Sequence, residues 1–246
     1  AISYGVWLLL FSIYRYLIPL EMLAPLLSTN YKLLNTKIDG TFPSHHADPT
    51  VEKNLEQLKS LVAEHKLDVG FAFDGDADRL GIIDNKGRPI WGDQILAILA
   101  RDVLERIPGA NIVVDVKTSK AVIDHIKKLG GNPVIWKCGH SLIKAMMKEL
   151  DAPLAGEMSA HIFFADGYYG YDDGIYAAVR FLEVMKNSKK TAAELLDELP
   201  KMVSSPEHKI AVDDRHVHIL QCARQLGRLD LHDVQVLGVF GDVGDG

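Results

Sequence analysis

Cysteine is scarce in this chain: Cys138 and Cys222 are the only two among 246 residues. Two thiols so far apart form neither a disulfide scaffold nor a zinc-ligand pattern, which points to a reduced, cytoplasmic protein. Basic runs are missing as well. No cluster of Lys and Arg exceeds the pairs Lys127-Lys128 and Lys189-Lys190, and the net charge is −6. A nucleic-acid binder concentrates positive charge on one face, so the reading has no nucleic-acid partner. An uninterrupted membrane span is also lacking. Residues 6–18 read VWLLLFSIYRYLI and apolar character continues to Leu27, but Arg15, Pro19, Glu21 and Pro25 interrupt it. A span needs about 20 apolar residues in a row, and a secretory signal needs a basic segment ahead of it. A membrane partner is therefore disfavoured, and residues 1–32 are expected to be an atypical apolar segment that packs against protein.

What is present suits a globular protein long enough to bury a core, with 48% apolar and 24% charged residues. From residue 48 the pattern becomes regular. Asp48-Pro49 predicts a helix start, with Leu55, Leu58, Leu61 and Val62 on one helical face. The run VGFAF (69–73) predicts a buried strand, and Gly81 to Asp84 a second one running into the turn Asn85-Lys86-Gly87. Helices then follow from Gly92-Asp93, Ser119, His140-Ser141 and Asp172-Asp173, separated by the short strands NIVVDV (111–116), Pro133 to Trp136 and Ala152 to Ala155. Strands alternating with helices predict an α/β fold: two consecutive α/β domains with mostly parallel mixed sheets, plus an incomplete C-terminal α+β piece. Boundaries are expected near Gly87 to Pro89 and at Met202 to Glu207.

Such sheets bind ligands at the carboxyl ends of their strands. Four polar clusters sit there: Asp74 to Arg79, Lys117, Lys137 to Ser141, and Glu157 to His161. The first is the most informative. Asp74, Asp76 and Asp78 alternate along the chain, so an extended loop projects all three carboxylates to one side. Two carboxylates about 4 Å apart repel by roughly 4 kcal/mol at an effective dielectric of about 20. Three together shift their pKa values or recruit a cation, and an all-oxygen set with few protein groups suits Mg²⁺. An EF-hand does not fit, because its sixth and twelfth positions, Gly and Glu, are Arg79 and Asn85 here.

The segment FDGDADRL (73–80) resembles the metal loop of the α-D-phosphohexomutases, in particular the bacterial phosphomannomutase/phosphoglucomutase group. Asp39-Gly40-Thr41-Phe42-Pro43 with His45-His46 and Asp48-Pro49 resembles the segment upstream of that loop. Lys137-Cys138-Gly139-His140-Ser141 is similar to the KTGHS motif, with Cys138 replacing Thr, and Gly156 to His161 is similar to GEMSGH, with Ala160 replacing Gly. The resemblance runs from about Ile38 to Pro200.

It implies that Asp74, Asp76 and Asp78 hold Mg²⁺ and that Arg79 contacts a phosphorylated serine. Glu157 and Ser159 would bind sugar hydroxyls, with His161 in the same neighbourhood or satisfied by loop hydrogen bonds. Lys117 and His140 would act at the reacting oxygen and phosphate. Cys138 is expected to face the core rather than act as a nucleophile. The implied substrate is a hexose phosphate, with glucose or mannose 1,6-bisphosphate as activator. Residues 33–88 would be the metal-binding domain, 89–200 the sugar-binding domain, and 201–246 the start of a C-terminal phosphate-binding domain. The serine loop of the family's first domain is not found. Two other readings stand beside the mutase: a non-catalytic Mg²⁺ and sugar-phosphate-binding fragment, and a phosphatase of the haloacid dehalogenase type. The phosphatase wants Thr or Val where this chain has Asp78.

Overall fold

The computed structural model describes residues 31–35, 41 and 43–200. The apolar segment of residues 1–30, most of the segment Asp39 to Phe42, Cys222 and the C-terminal piece from residue 201 lie outside the described residues.

Residues 43–200 carry two sheets and six helices. A 3-10 turn, Glu52–Leu55, leads into α1 (Glu56–His65), and three strands follow: β1 (Val69–Phe73), β2 (Leu80–Asp84) and β3 (Pro89–Ile90). These form an antiparallel sheet in sequential order, with Phe73 opposite Leu80 and Ile83 opposite Pro89. The chain continues through α2 (Gly92–Arg106), β4 (Asn111–Asp115), α3 (Lys120–Lys128), β5 (Asn132–Trp136) and α4 (His140–Leu150). It then adds β6 (Leu154–Gly156), β7 (Ile162–Phe164), β8 (Tyr171–Asp172), α5 (Gly174–Ser188) and α6 (Ala192–Asp197). The second sheet has the order β5-β4-β6-β7-β8; β4 is parallel to β5 and β6, and the β6–β7 and β7–β8 pairs are antiparallel.

The α/β class holds, but the sheets are not mostly parallel: the first is wholly antiparallel, and the second is mixed, with two parallel and two antiparallel pairs. The reason is local. No helix separates β1 from β2 or β6 from β7; each pair is a hairpin, and its connecting loop is one of the polar clusters read from the sequence. A crossover helix is needed only for parallel neighbours.

Both sheets are covered on two sides. Against the first, the 3-10 turn supplies Leu55 and α1 supplies Val62, which pack with Ile83. Against the second, α4 supplies Ile143, Met146 and Met147, which pack on Val113, Ala155 and Phe163. Alternation along each strand turns Ile112, Leu154 and Phe164 to the opposite face, where α2 and α5 lie. Helix α5 touches β1 and β2 as well as β7, and Phe181 meets Phe71 edge-on with ring centroids 6.2 Å apart. One helix thus serves both sheets.

Several local expectations change. Asp48 does not cap a helix: its Oδ1 accepts bonds from Thr50 N (3.0 Å) and Thr50 Oγ1 (2.7 Å), closing a turn, and the α-helix starts only at Glu56. The boundary expected near Gly87 to Pro89 falls in the turn between β2 and β3. There the buried Asp84 takes Arg88 Nε at 2.7 Å, while Asn85 Oδ1 accepts from Ala193 N at the start of α6. Ser119 and Asp173 do cap α3 and α5, accepting from Val122 N and Tyr176 N. No described helix is long and apolar enough to cross a membrane.

Candidate functional site

Strand β1 ends at Phe73, and the chain turns back through Asp74 to Arg79 into β2. Ala77 makes the reversal with a left-handed backbone (φ 55°), its N–H donating to Asp74 O. A left-handed alanine costs about 1 kcal/mol or more, so other contacts hold it in place. One is the start of α5, where Gly174 N donates to Ala77 O at 2.9 Å. A Cβ on Gly174 would lie 2.8 Å from Arg79 O, so this approach requires glycine.

The turn gathers the three carboxylates, with one oxygen from each of Asp74, Asp76 and Asp78 lying within 4.8 Å of the others. Their environments differ. Asp74 is buried and receives Arg79 Nε at 2.6 Å and Arg79 N at 3.2 Å. Asp76 is exposed. Asp78 is half-buried, and its Oδ1 is a buried atom with no aligned hydrogen-bond donor. Burial pushes its pKa up to about 6, helped by Asp74 and Asp76 and opposed by His161. Arg79 therefore neutralises Asp74 and, at 3.4 Å, approaches Asp48, while Asp78 Oδ1 faces His161 Nδ1.

The second hairpin loop, Glu157 to His161, meets the first directly. Leu80 N donates to Ala160 O at 3.1 Å, and Arg79 and His161 form an isolated antiparallel bridge. Ala160 also has a left-handed backbone, with φ 73°. His161 Nδ1 lies 3.1 Å from Asp172 Oδ2 and 3.6 Å from Asp78 Oδ1, off the line of an aligned N–H bond to either. Burial lowers the His161 pKa, but Asp172 and Asp78 outweigh it and the net shift is upward. Burial likewise raises Asp172, and His161 with Lys144 overcome it, bringing its pKa down to about 2.

Glu157 is buried, and its Oε1 accepts Gly139 N at 2.6 Å, so one of its two oxygens braces the loop before α4. Ser159 is half-buried, beside Met158, whose N–H donates to Asp115 Oδ2 at 3.1 Å. Lys117 is half-buried on the loop after β4, and His140 is exposed at the first residue of α4. The centroids of the His140 and His161 rings lie 6.1 Å apart in a near-parallel stack. Cys138 is exposed rather than core-facing, because Lys137 to Gly139 form a surface loop between β5 and α4; its thiol sulfur lies 3.7 Å from Asp115 Oδ2. Burial and the Asp115 carboxylate push that thiol up, away from thiolate chemistry.

Two domain models of one family match the sequence. Residues 18–87 match phosphoglucomutase/phosphomannomutase alpha/beta/alpha domain II, and residues 91–203 match alpha/beta/alpha domain III. The chain belongs to the phosphoglucomutase/phosphomannomutase family. Among its relatives, a phosphomannomutase/phosphoglucomutase of Pseudomonas syringae pv. tomato is 47% identical over 181 residues, covering 74% of this chain and 39% of that protein. A phosphomannomutase of Methanocaldococcus jannaschii is 36% identical over 187 residues, covering 76% of this chain and 41% of that protein. A solved structure of a phosphoglucomutase/phosphomannomutase family protein from Burkholderia thailandensis superimposes with a TM-score of 0.67 at 46% identity, covering 70% of this chain and 38% of that one. The chain spans about two fifths of the length of these relatives.

The acidic loop and the Glu157 loop meet at a backbone junction. Three residues that shape the site were not singled out as site residues. Asp115 ends an apolar strand, which is a signal in itself, and accepts from Thr118 Oγ1 (2.8 Å) as well as Met158 N. Lys144 lies four residues after His140, one turn along α4, where such pairs meet. Asp172 read as part of a helix start, a role that belongs to Asp173 alone.

Proposed function

We propose that this chain carries the metal and sugar-recognition loops of a phosphohexomutase, an enzyme that moves a phosphoryl group between the 1- and 6-positions of mannose or glucose phosphates. In the intact enzyme the transfer runs through a phosphoserine and a hexose 1,6-bisphosphate, in the cytoplasm. The observation that carries this reading is the backbone junction between the two motif loops. The bond from Leu80 to Ala160 and the Arg79–His161 bridge put three carboxylates beside a loop bearing Glu157 and Ser159.

The donor set fits a hard divalent cation. It is all oxygen, Asp76 is open to water, and the buried Asp78 Oδ1 has no aligned donor. Asp74, Asp76 and Asp78 would hold Mg²⁺, which would supply charge neutralisation at a transferring phosphoryl group. Arg79, already oriented by Asp74, would reach the phosphoserine phosphate. Lys117 and His140 would serve the reacting oxygens. Ser159 and the second oxygen of Glu157 would take sugar hydroxyls. Residues 33–88 and 89–200 would be the metal-binding and sugar-binding domains, with 201–246 opening a phosphate-binding one.

The non-catalytic Mg²⁺ and sugar-phosphate-binding fragment is the second reading. The haloacid dehalogenase reading loses ground, because the Asp74-x-Asp76 pair sits in an antiparallel hairpin and not at the end of a parallel strand.

The test combines calorimetric titration of Mg²⁺ and glucose 1,6-bisphosphate with a coupled assay of glucose 1-phosphate conversion, on this chain and on Asp76→Ala. Binding and turnover that both fall in the variant support the mutase in this chain. Metal-dependent binding without turnover supports the fragment. Failure to bind either ligand would sink both.

A further inference from the structure

Lys144 and Asp172 form an ion pair, Nζ to Oδ1 at 3.0 Å, and each also reaches the Nδ1 of a different histidine. Asp172 Oδ2 lies 3.1 Å from His161 Nδ1, and Lys144 Nζ lies 3.1 Å from His140 Nδ1. The donor inventory then decides where each imidazole proton sits. An ammonium can only donate, so His140 Nδ1 offers its lone pair and the ring hydrogen stays on Nε2. A carboxylate can only accept. His161 Nδ1 faces two of them, the second being Asp78 Oδ1 at 3.6 Å, and a lone pair there would be repelled by both. His161 Nδ1 therefore carries the hydrogen.

We propose that the Asp172–Lys144 ion pair is a positioning device that fixes the neutral forms of the two stacked histidines in opposite tautomers: His161 with Nδ1–H and a bare Nε2, and His140 with an Nε2–H. It rests on the mutase reading only for its purpose. Phosphoryl transfer between hydroxyls needs an acceptor for the hydrogen of an attacking hydroxyl and a donor to a phosphate or leaving oxygen. One imidazole would present each, with no rearrangement of either ring. His140 then presents the hydrogen-bond donor, and the accepting nitrogen belongs to His161.

The mutase reading could fail while the tautomers stand, so the experiment does not depend on turnover. Long-range nitrogen–proton NMR of the full chain reports imidazole tautomers directly, recorded well above the imidazole pKa range so that both rings are neutral. Spectra of His140→Gln and His161→Gln assign the two signals among the ten histidines. The expected result is Nδ1–H for His161 and Nε2–H for His140. Lys144→Glu replaces the donor with an acceptor and flips His140 to Nδ1–H; Lys144 is exposed enough on α4 to tolerate it. Asp172→Asn releases His161 toward a mixture, with the backbone amide spectrum as the check on folding. Nε2–H on wild-type His161, or an unflipped His140 in Lys144→Glu, overturns the proposal. An unchanged His161 in a folded Asp172→Asn chain transfers the lock to Asp78 and overturns it for Asp172.

Discussion

Replacing Gly92 by alanine puts a methyl group where the second loop already is. Gly92 opens α2, and a Cβ there would lie 2.7 Å from Glu157 O and 2.9 Å from both Ala160 N and Ala160 Cα. Comfortable carbon contacts begin near about 3.5 Å, so something must retreat by roughly 0.8 Å. Neither side yields easily. Helix α2 is anchored by Leu96 and Leu99, both fully buried, and the loop is held by Leu80 N, Asp115 and Gly139 N. Overpacking of this kind costs about 1–3 kcal/mol, and the better helix propensity of alanine returns less than about 1 kcal/mol. The net loss is about 1–2 kcal/mol, or roughly 2–8 °C in melting temperature for a chain of this size. Gly131→Ala is the control, because its added Cβ meets the flexible methyl ends of Leu104 and should cost less. Thermal unfolding by circular dichroism measures the difference, and hydrogen exchange should rise at residues 157–161 in Gly92→Ala alone. A Gly92→Ala chain that melts with the wild type and leaves loop exchange unchanged would refute the view that backbone contact with α2 fixes this loop.

In the metal-free chain, Asp78 holds its proton more tightly when folded than when unfolded, so its ionisation removes stability as pH rises from about 4 to about 6. Asp78→Asn should therefore gain on the order of 1 kcal/mol in chelator near pH 7 and nothing near pH 4, by denaturant titration; equal effects at both would contradict the crowding of the three carboxylates. Asp172 has the opposite sign. Its lowered pKa stabilises the fold above the ordinary carboxylate range and is lost as pH falls from about 4 through about 2, so Asp172→Asn should flatten acid unfolding there. Buried Arg180 joins Asp102 and Asp166 and lies over the Phe164 ring, and Arg180→Met should lower stability by about 2 kcal/mol, because both carboxylates keep only Arg106. A melt within a degree or so of wild type would mean that Arg106 suffices.

The parts of the fold visible in the sequence are those where one local pattern dominates. VGFAF and NIVVD were legible as strands, though only NIVVD is largely buried and VGFAF is half-buried apart from Gly70; Ser119 and Asp173 marked helix starts because capping is decided within a few residues. Strand direction was not local. A strand was already legible on each side of Asp74 to Arg79, and only the pairing of Phe73 with Leu80 shows that the two run antiparallel as a hairpin. The carboxylate triplet was legible because its members lie in one turn. Asp115 was not, since its partners Cys138 and Met158 lie 23 and 43 residues away. Asp48 was misread because an Asx turn and a helix cap use the same side chain and differ only in where the helix begins.

The junction of the two hairpin loops bears on how such a chain can be recombined. A crossover placed between the two matched domains, in the turn around Gly87, would leave Asp78 with one parent and take His161, Asp172 and the glycine start of α5 from the other. A chimera joined there would thereby set the acidic loop against a foreign neighbour. The two motif loops are not separable modules in this architecture, and grafts that keep residues 74–80, 157–161 and 172–174 from one parent are the ones expected to keep their junction intact.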